Sequence, residues 1–326
     1  MQLSAADRPA VLLIVNPHAA SVTRERRELV AAALARRTAL EVASTEYAGQ
    51  GREFAAGAAR AGQQLIVTLG GDGTVNEAVN GIGAGSRVAL FPLPGGSANV
   101  LARMLGIPGE LVDATGMLLG ALRDGRLRSV DLAAVNDRLF TFCSGVGFDA
   151  AVVERVDARP AAKRRFGPWF FAATAASTFL RGYARGHVPR LALVAADGER
   201  IPGLTAIIQN GRPYTYFGSR PVDLSRHAGL ESGSLAGAVL TDVSPLALPA
   251  IARRALSFGR AIAEDPRVAE IAPSAQVTIS AEGEERLPLH VDGDFIGRVR
   301  EARYAVLPRA LRVPLALYSA APGVTR

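Results

Sequence analysis

Residues 65–81 read LIVTLGGDGTVNEAVNG: an apolar run that breaks into glycines around one aspartate and resumes with helical spacing. A run with no polar alternation suits a strand covered on both faces. Such strands belong to parallel sheets, whose crossovers are helices. The neighbouring segments carry the same texture. PAVLLIVN, ALEVASTE, QLIVTLG and RVALFPLP read as strands, and TRERRELVAAALARRT, GREFAAGAARAG, TVNEAVNGI, SANVLARMLGI and LVDATGMLLGAL as the helices between and after them. This alternation predicts an N-terminal parallel α/β domain over residues 1–130.

After Arg128 the pattern changes. RSVDLAAVN, RLFTFCSGVG, RLALVAAD, LTAIIQNG, SLAGAVLTD, AQVTISAE and LPLHVDGD are short strand-like runs separated by turn residues. Two helical stretches, 166–184 and 245–262, interrupt them. A β-rich, sandwich-like second domain is expected over 131–312, with the tail 313–326 packing back on the first. A length of 326 residues is consistent with two domains.

The glycine turn has a chemical reading. At the end of a parallel strand, backbone N–H groups and a helix N-terminus face outward and bind anions. Gly70, Gly71 and Gly73 let the backbone approach phosphate oxygens closely. Asp72 would repel a phosphate unless a divalent ion such as Mg²⁺ bridges the two. Thr74 is placed to cap the helix and donate to phosphate, and Asn76 and Glu77 lie on its first turn. Two other phosphate motifs fare worse. No G-x-x-x-x-G-K-[ST] occurs. SGVGFDA has Gly145, Gly147 and Ala150 at dinucleotide-fingerprint spacing, but the acidic strand end expected about 20 residues on is missing.

Several further motifs, taken in order, carry a resemblance. VNPHAAS holds Asn16, Pro17, His18, Ala19 and Ala20; STEYAGQGREFA holds Thr45; GGDGTVNEAVNG holds the glycine turn. PLPGGSANVLAR holds Gly96, Ser97 and Asn99, and HVDGDFIG holds Asp292. Across nearly the whole chain the sequence resembles the diacylglycerol kinase catalytic family, which includes sphingosine, ceramide and bacterial lipid kinases. The resemblance implies an NAD kinase/diacylglycerol kinase-like fold and a kinase using ATP and Mg²⁺ on a lipid hydroxyl. It implies that Asn16–Ala20, Thr45, Gly70, Gly71, Asp72, Gly73, Thr74, Val75, Asn76, Glu77, Gly96, Ser97 and Asn99 line the nucleotide. Asp72 would be a catalytic carboxylate reaching Mg²⁺ through water, and Asp292 the general base. Read alone, the Asp292–Gly293 pair is also an ordinary β-turn.

The sequence departs from the family at Val100, where an aspartate is usual, and in GLESGSL, where Ser232 stands at a ligand position of a structural Mg²⁺ and Glu231 is the carboxylate nearby. No structural ion is expected there. Two other readings stay open: an NAD kinase-like enzyme, and a non-catalytic nucleotide-binding regulator.

The net charge of +7 comes almost wholly from arginine, with Lys163 the sole lysine. Guanidinium groups suit phosphates and anionic membranes, whereas no basic run interleaved with aromatics suggests nucleic acid. Lys163, Arg164, Arg165, Trp169, Phe170, Phe171, Phe179, Arg181 and Arg185 combine basic and aromatic side chains, suited either to a membrane surface or to core packing. A peripheral protein of the cytoplasm is expected, with monomer and homodimer both open. Cys143 is the only cysteine and reads as a buried small side chain. His18, His187, His227 and His290 show no zinc-site spacing; His290 reads as a neighbour of Asp292.

Overall fold

The computed structural model describes residues 8–159, 190–194, 200–218, 220–241 and 265–314, with 162, 170, 173–178, 181, 182 and 198. Most of the basic–aromatic stretch 163–185, His187, the helix expected over 245–262 and the chain from 315 lie outside the described residues. The chain forms two units. One runs to Val130 and takes the chain up again at Leu311; the other spans Asp131–Ala310.

The first unit follows the alternation expected from sequence: β1 (Ala10–Val15), α1 (Arg24–Ala35), β2 (Ala39–Ser44), α2 (Gln50–Arg60), β3 (Leu65–Gly70), α3 (Asp72–Ile82), β4 (Ala89–Pro94), α4 (Val100–Met104) and α5 (Leu111–Asp124). The strands lie in the order β2-β1-β3-β4, all parallel. Every residue of β3 and β4 is buried, which is why neither alternates. The edge strand β2 leaves Glu41 and Val42 exposed. Val15 pairs with Leu69, and Gly70 with Pro94, so β1, β3 and β4 end level and the segments following them emerge side by side.

Two helices begin elsewhere than their sequence suggests. α3 starts at Asp72 rather than Thr74, because Gly71 is extended (φ −96°, ψ −172°) and serves as N-cap. α4 starts at Val100 rather than Ser97, because Asn99 adopts the left-handed region (φ 49°) and turns the chain into the helix.

The second unit contains β5 (Leu127–Val135, entering from the first unit), β6 (Arg138–Phe140), β7 (Cys143–Gly147), α6 (Phe148–Asp157), β8 (Arg190–Val194), β9 (Arg200–Gly203), β10 (Thr205–Gln209), β11 (Thr215–Phe217), β12 (Arg220–Val222), β13 (Leu235–Leu240), β14 (Val268–Ser274), β15 (Gln276–Glu282), β16 (Leu287–Val291), β17 (Asp294–Val299) and β18 (Glu301–Pro314). One antiparallel sheet has the order β14-β13-β10-β7-β16-β17. Another joins β18, β15, β8 and β9. Side chains from both form one core, among them Val146, Ile208 and Leu289 from the first and Leu193, Ile279 and Tyr304 from the second. This is the sandwich predicted from the short strands. α6 packs against β16, β17 and β7. Because β7 runs antiparallel to both neighbours, the G-x-G-x-x-A spacing belongs to no βαβ unit. The end of β18 returns to the first unit, where Arg312 pairs in parallel with Ala89.

Candidate active site

At the carboxyl ends of β3 and β4, two glycine turns meet backbone to backbone. The Gly95 N–H donates to the Gly70 carbonyl at 2.9 Å. A Cβ on Gly96 would lie 2.5 Å from the Gly71 Cα, and one on Gly95 would lie 2.8 Å from the Gly70 nitrogen. Only glycine permits this approach. Asn99 fixes the second turn, its Oδ1 accepting from the Gly96 N–H and its Nδ2 donating to the Gly96 carbonyl, both at 2.8 Å. Ser97 is exposed beside it.

Asn16 follows β1 and joins the two sides. Its Nδ2 donates to Thr74 Oγ1 at 3.2 Å, while its Oδ1 accepts from the His18 N–H at 2.9 Å. Thr74 is therefore not the helix cap: Gly71 is, and no side chain accepts there. The first N–H groups of a helix have no intrahelical partner. With no side-chain cap in place, this end suits an anion. Pro17, His18 and Ala20 are exposed on the adjoining loop, and Ala19 is half-buried.

The carboxylates of this run do not all face that opening. Asp72 Oδ1 accepts from the Leu101 N–H at 3.3 Å, in the first turn of α4. Glu77 turns to α2, where Oε1 accepts from the Gly49 N–H at 2.7 Å and Oε2 from the Gly51 N–H at 3.0 Å. Gly49 is the N-cap of α2 (φ 94°) and has no side chain to supply that acceptor, so Glu77 caps α2 from α3. Val75 and Asn76 are buried, and Asn80 Nδ2 donates to both the carbonyl and Oδ1 of Asn76. Of the 70–77 run expected to line a nucleotide, Glu77, Val75 and Asn76 point their side chains into the unit. Thr45 is buried as well, its N–H and hydroxyl both directed at the Val15 carbonyl. A groove of about 670 Å³ in the same unit opens beside Pro9, Leu65, Val88 and Ala89, at the starts of the strands and away from the glycine turns.

In the second unit, Asp292 and Gly293 have φ of 48° and 84° and form the two-residue turn between β16 and β17. Left-handed backbone favours Asp and Gly, the pair typical of tight hairpins. The Asp292 side chain is buried and fastened. Oδ2 accepts from the N–H (2.8 Å) and hydroxyl (2.9 Å) of Thr141, and Oδ1 from the N–H groups of Phe142 (3.0 Å) and Cys143 (3.2 Å). Hydrogen bonds to a charged acceptor contribute about 1.5–3 kcal/mol each, enough together to offset the left-handed backbone, which costs about 1–2 kcal/mol.

Three residues that sequence reading left out of the site gather beside β7. His290 Nε2 lies 2.7 Å from Asp149 Oδ2, and the Tyr214 hydroxyl donates to the same oxygen at 3.1 Å. Gly145 makes room: a Cβ there would lie 2.7 Å from Asp149 Oδ2 and closer still to His290 Nε2. His290 Nδ1 is buried without a partner, which costs about 1–3 kcal/mol. Burial and then the Asp149 carboxylate hold the Tyr214 phenol well above its ordinary pKa, so it stays a donor. His290, two residues before Asp292, spends its ring on Asp149, and Asp149 carried no signal beyond its place after two glycines.

Asp131 is buried, its carboxylate accepting from the Gly233 and Arg309 N–H groups at 2.7 and 2.8 Å. In the adjoining loop the Ser232 hydroxyl donates within its own turn, to Gly229 or Ser234 carbonyls at 2.9 Å. That donor set does not fit a structural cation at Glu231–Ser232. Among the described residues no three His, Cys, Asp or Glu side chains group as a metal site. Asp72 alone, with phosphate oxygens, fits the way Mg²⁺ is usually held on a nucleotide, by one or two carboxylates and water.

Comparison with known proteins adds the following. The family profile of the diacylglycerol kinase catalytic domain matches residues 10–135. A protein of Pseudomonas aeruginosa (strain UCBPP-PA14), named a probable YegS-like lipid kinase, is 30% identical over 312 residues, covering 95% of each chain. A diacylglycerol kinase of Bacillus subtilis is 37% identical over 106 residues, 32% of this chain and 34% of its own. In fold, the crystal structure of a diacylglycerol kinase from Bacillus anthracis superposes with a TM-score of 0.70 at 21% identity, covering 95% of this chain and 98% of that one.

Proposed function

The chain belongs to the lipid kinases built on the diacylglycerol kinase catalytic domain, and we propose that it transfers the γ-phosphate of ATP to the hydroxyl of a lipid. It is a kinase acting on lipid; the nucleotide, the metal and the base are the substance of the proposal. The observation that carries it is the meeting of Gly70–Gly71 with Gly95–Gly96 at level strand ends, beside a helix that starts without a side-chain cap. Backbone this bare at a helix N-terminus suits a polyphosphate.

In this reading Asn16 steadies Thr74, Asn99 steadies Gly96, and α3 directs its N-terminus at the phosphates. Mg²⁺ arriving with ATP would be held through water by Asp72 and would neutralise phosphate charge. Asp292 takes the proton from the lipid hydroxyl. Both its oxygens accept hydrogen bonds, so it must release one donor first. Three are backbone N–H groups; the Thr141 hydroxyl is the one that turns away by bond rotation. A lipid substrate brings the protein to a membrane surface, and no helix among the described residues is long and apolar enough to cross one.

The test is incubation with γ-labelled ATP, Mg²⁺ and either a total lipid extract or NAD, with products identified by mass. Label in a lipid is the expected outcome. Label in NAD alone, or in neither, overturns the proposal.

A further inference from the structure

The second unit offers two carboxylates beside β7, Asp149 in the first turn of α6 and Asp292 in the β16–β17 turn, and they differ in what they have left to give. Both oxygens of Asp292 accept from Thr141, Phe142 and Cys143. Asp149 is held by one oxygen only. Oδ2 takes the Tyr214 hydroxyl and His290 Nε2, whereas Oδ1 makes no hydrogen bond among the described residues, and the side chain keeps 15% exposure.

The support behind Asp149 is costly. His290 is 1% exposed and spends Nε2 on Asp149 while Nδ1 stays unpaired. Gly145 is the small residue that lets the pair form. A buried ring with one unmet nitrogen, a tyrosine donor and a glycine clearance together yield one thing: a carboxylate held in a single orientation with an oxygen to spare.

We propose that Asp149 is a head-group-binding carboxylate, accepting a hydrogen bond from a second donor on the lipid whose reacting hydroxyl goes to Asp292. This rests on the kinase reading above. The unmet group that reaches solvent here, Asp149 Oδ1, is an acceptor, so it selects hydroxyl or ammonium donors and gives nothing to ester oxygens. His290 pairs with Gly145, and the Asp292 N–H donates to the Cys143 carbonyl, two positions back on β7. Two residues of strand span about 7 Å, so the contacts of His290 and Asp292 fall at neighbouring points along β7. The substrate class is therefore a lipid with a diol or amino-alcohol head, rather than one with a single hydroxyl flanked by esters.

The experiment compares wild type, Asp149→Asn and Tyr214→Phe on mixed micelles of monoacylglycerol, a long-chain amino alcohol, or diacylglycerol. Flotation on vesicles of the same lipids runs in parallel. Wild type should favour a two-donor lipid at least tenfold in kcat/KM. Asp149→Asn should lower kcat/KM for that lipid at least tenfold more than for diacylglycerol. Tyr214→Phe, which loosens Oδ2 alone, should raise KM about threefold with kcat held. Equal losses on every lipid, or none, overturn the assignment and leave the kinase reading standing. If no lipid is phosphorylated, flotation decides: retention on two-donor vesicles that depends on Asp149 supports the assignment while the kinase reading falls, and retention independent of Asp149 ends both. Should Asp149→Asn fail to fold by circular dichroism, the KM change in Tyr214→Phe carries the test, and an unchanged KM refutes it.

Discussion

Glu77→Gln separates two roles that sequence alone cannot. In the structure this carboxylate caps α2, taking the Gly49 and Gly51 N–H groups at 2.7 and 3.0 Å. A glutamine keeps one acceptor oxygen and turns its NH₂ toward the other N–H, donor against donor. One charge-assisted bond is lost, worth about 1.5–3 kcal/mol, and the remaining one falls to the neutral range of about 0.5–1.5 kcal/mol. The negative charge at a helix N-terminus contributes about 0.3–1 kcal/mol more. The variant should lose about 3 kcal/mol, and at about 3 °C per kcal/mol for a unit of this size the melting temperature should fall by ~9 °C. Gly51→Ala should act on the same contact, because its Cβ would sit 2.7 Å from Glu77 Oε2. The two changes combined should cost less than their sum. The assay is thermal unfolding by circular dichroism, paired with ATP affinity by calorimetry at a temperature where both proteins are folded; affinity should change less than threefold. Melting within about 1 °C of wild type, together with lost ATP binding, would refute the reasoning and put Glu77 on the nucleotide.

Gly96→Ala sets a Cβ 2.5 Å from the Gly71 Cα, where backbone cannot yield; calorimetry should show ATP affinity reduced at least 100-fold. Asp292→Asn should abolish lipid phosphorylation by mass spectrometry while ATP affinity stays within twofold, and full turnover would remove Asp292 as base. Chelation with EDTA should stop turnover and added Mg²⁺ restore it. The Tyr214 pKa is raised from 10.0 in the folded state, so folding is favoured while the unfolded phenol is protonated and loses that support as pH rises past about 10. The melting temperature of wild type should therefore drop more steeply than that of Tyr214→Phe between about pH 10 and 11.

Legibility followed the range of the interaction. β3 and β4 were readable because complete burial leaves a run without polar residues, and the glycine turns because close backbone approach admits one residue type. Asn99 was readable as part of a motif but not as the left-handed N-cap that delays α4, since that depends on its bonds to Gly96. α6 was hidden by the two glycines before it, whose spacing imitates a nucleotide fingerprint. The side-chain pairings were further off still: Glu77 meets residues 26 and 28 positions away, Tyr214 lies 65 positions from Asp149, His290 lies 141 from it, and Thr141 lies 151 from Asp292. In the sequence, motifs set Asp72, Glu77 and Asp292 apart from Asp149, but none shows which of their oxygens is engaged. The fold distinguishes three of them by which oxygens are already taken: both of Asp292's by a tight turn, both of Glu77's by α2, one of Asp149's by a tyrosine and a histidine. A carboxylate can bind, bridge or accept a proton only with lone pairs it has left, so what each of these acids has to offer depends on partners that no local motif displays.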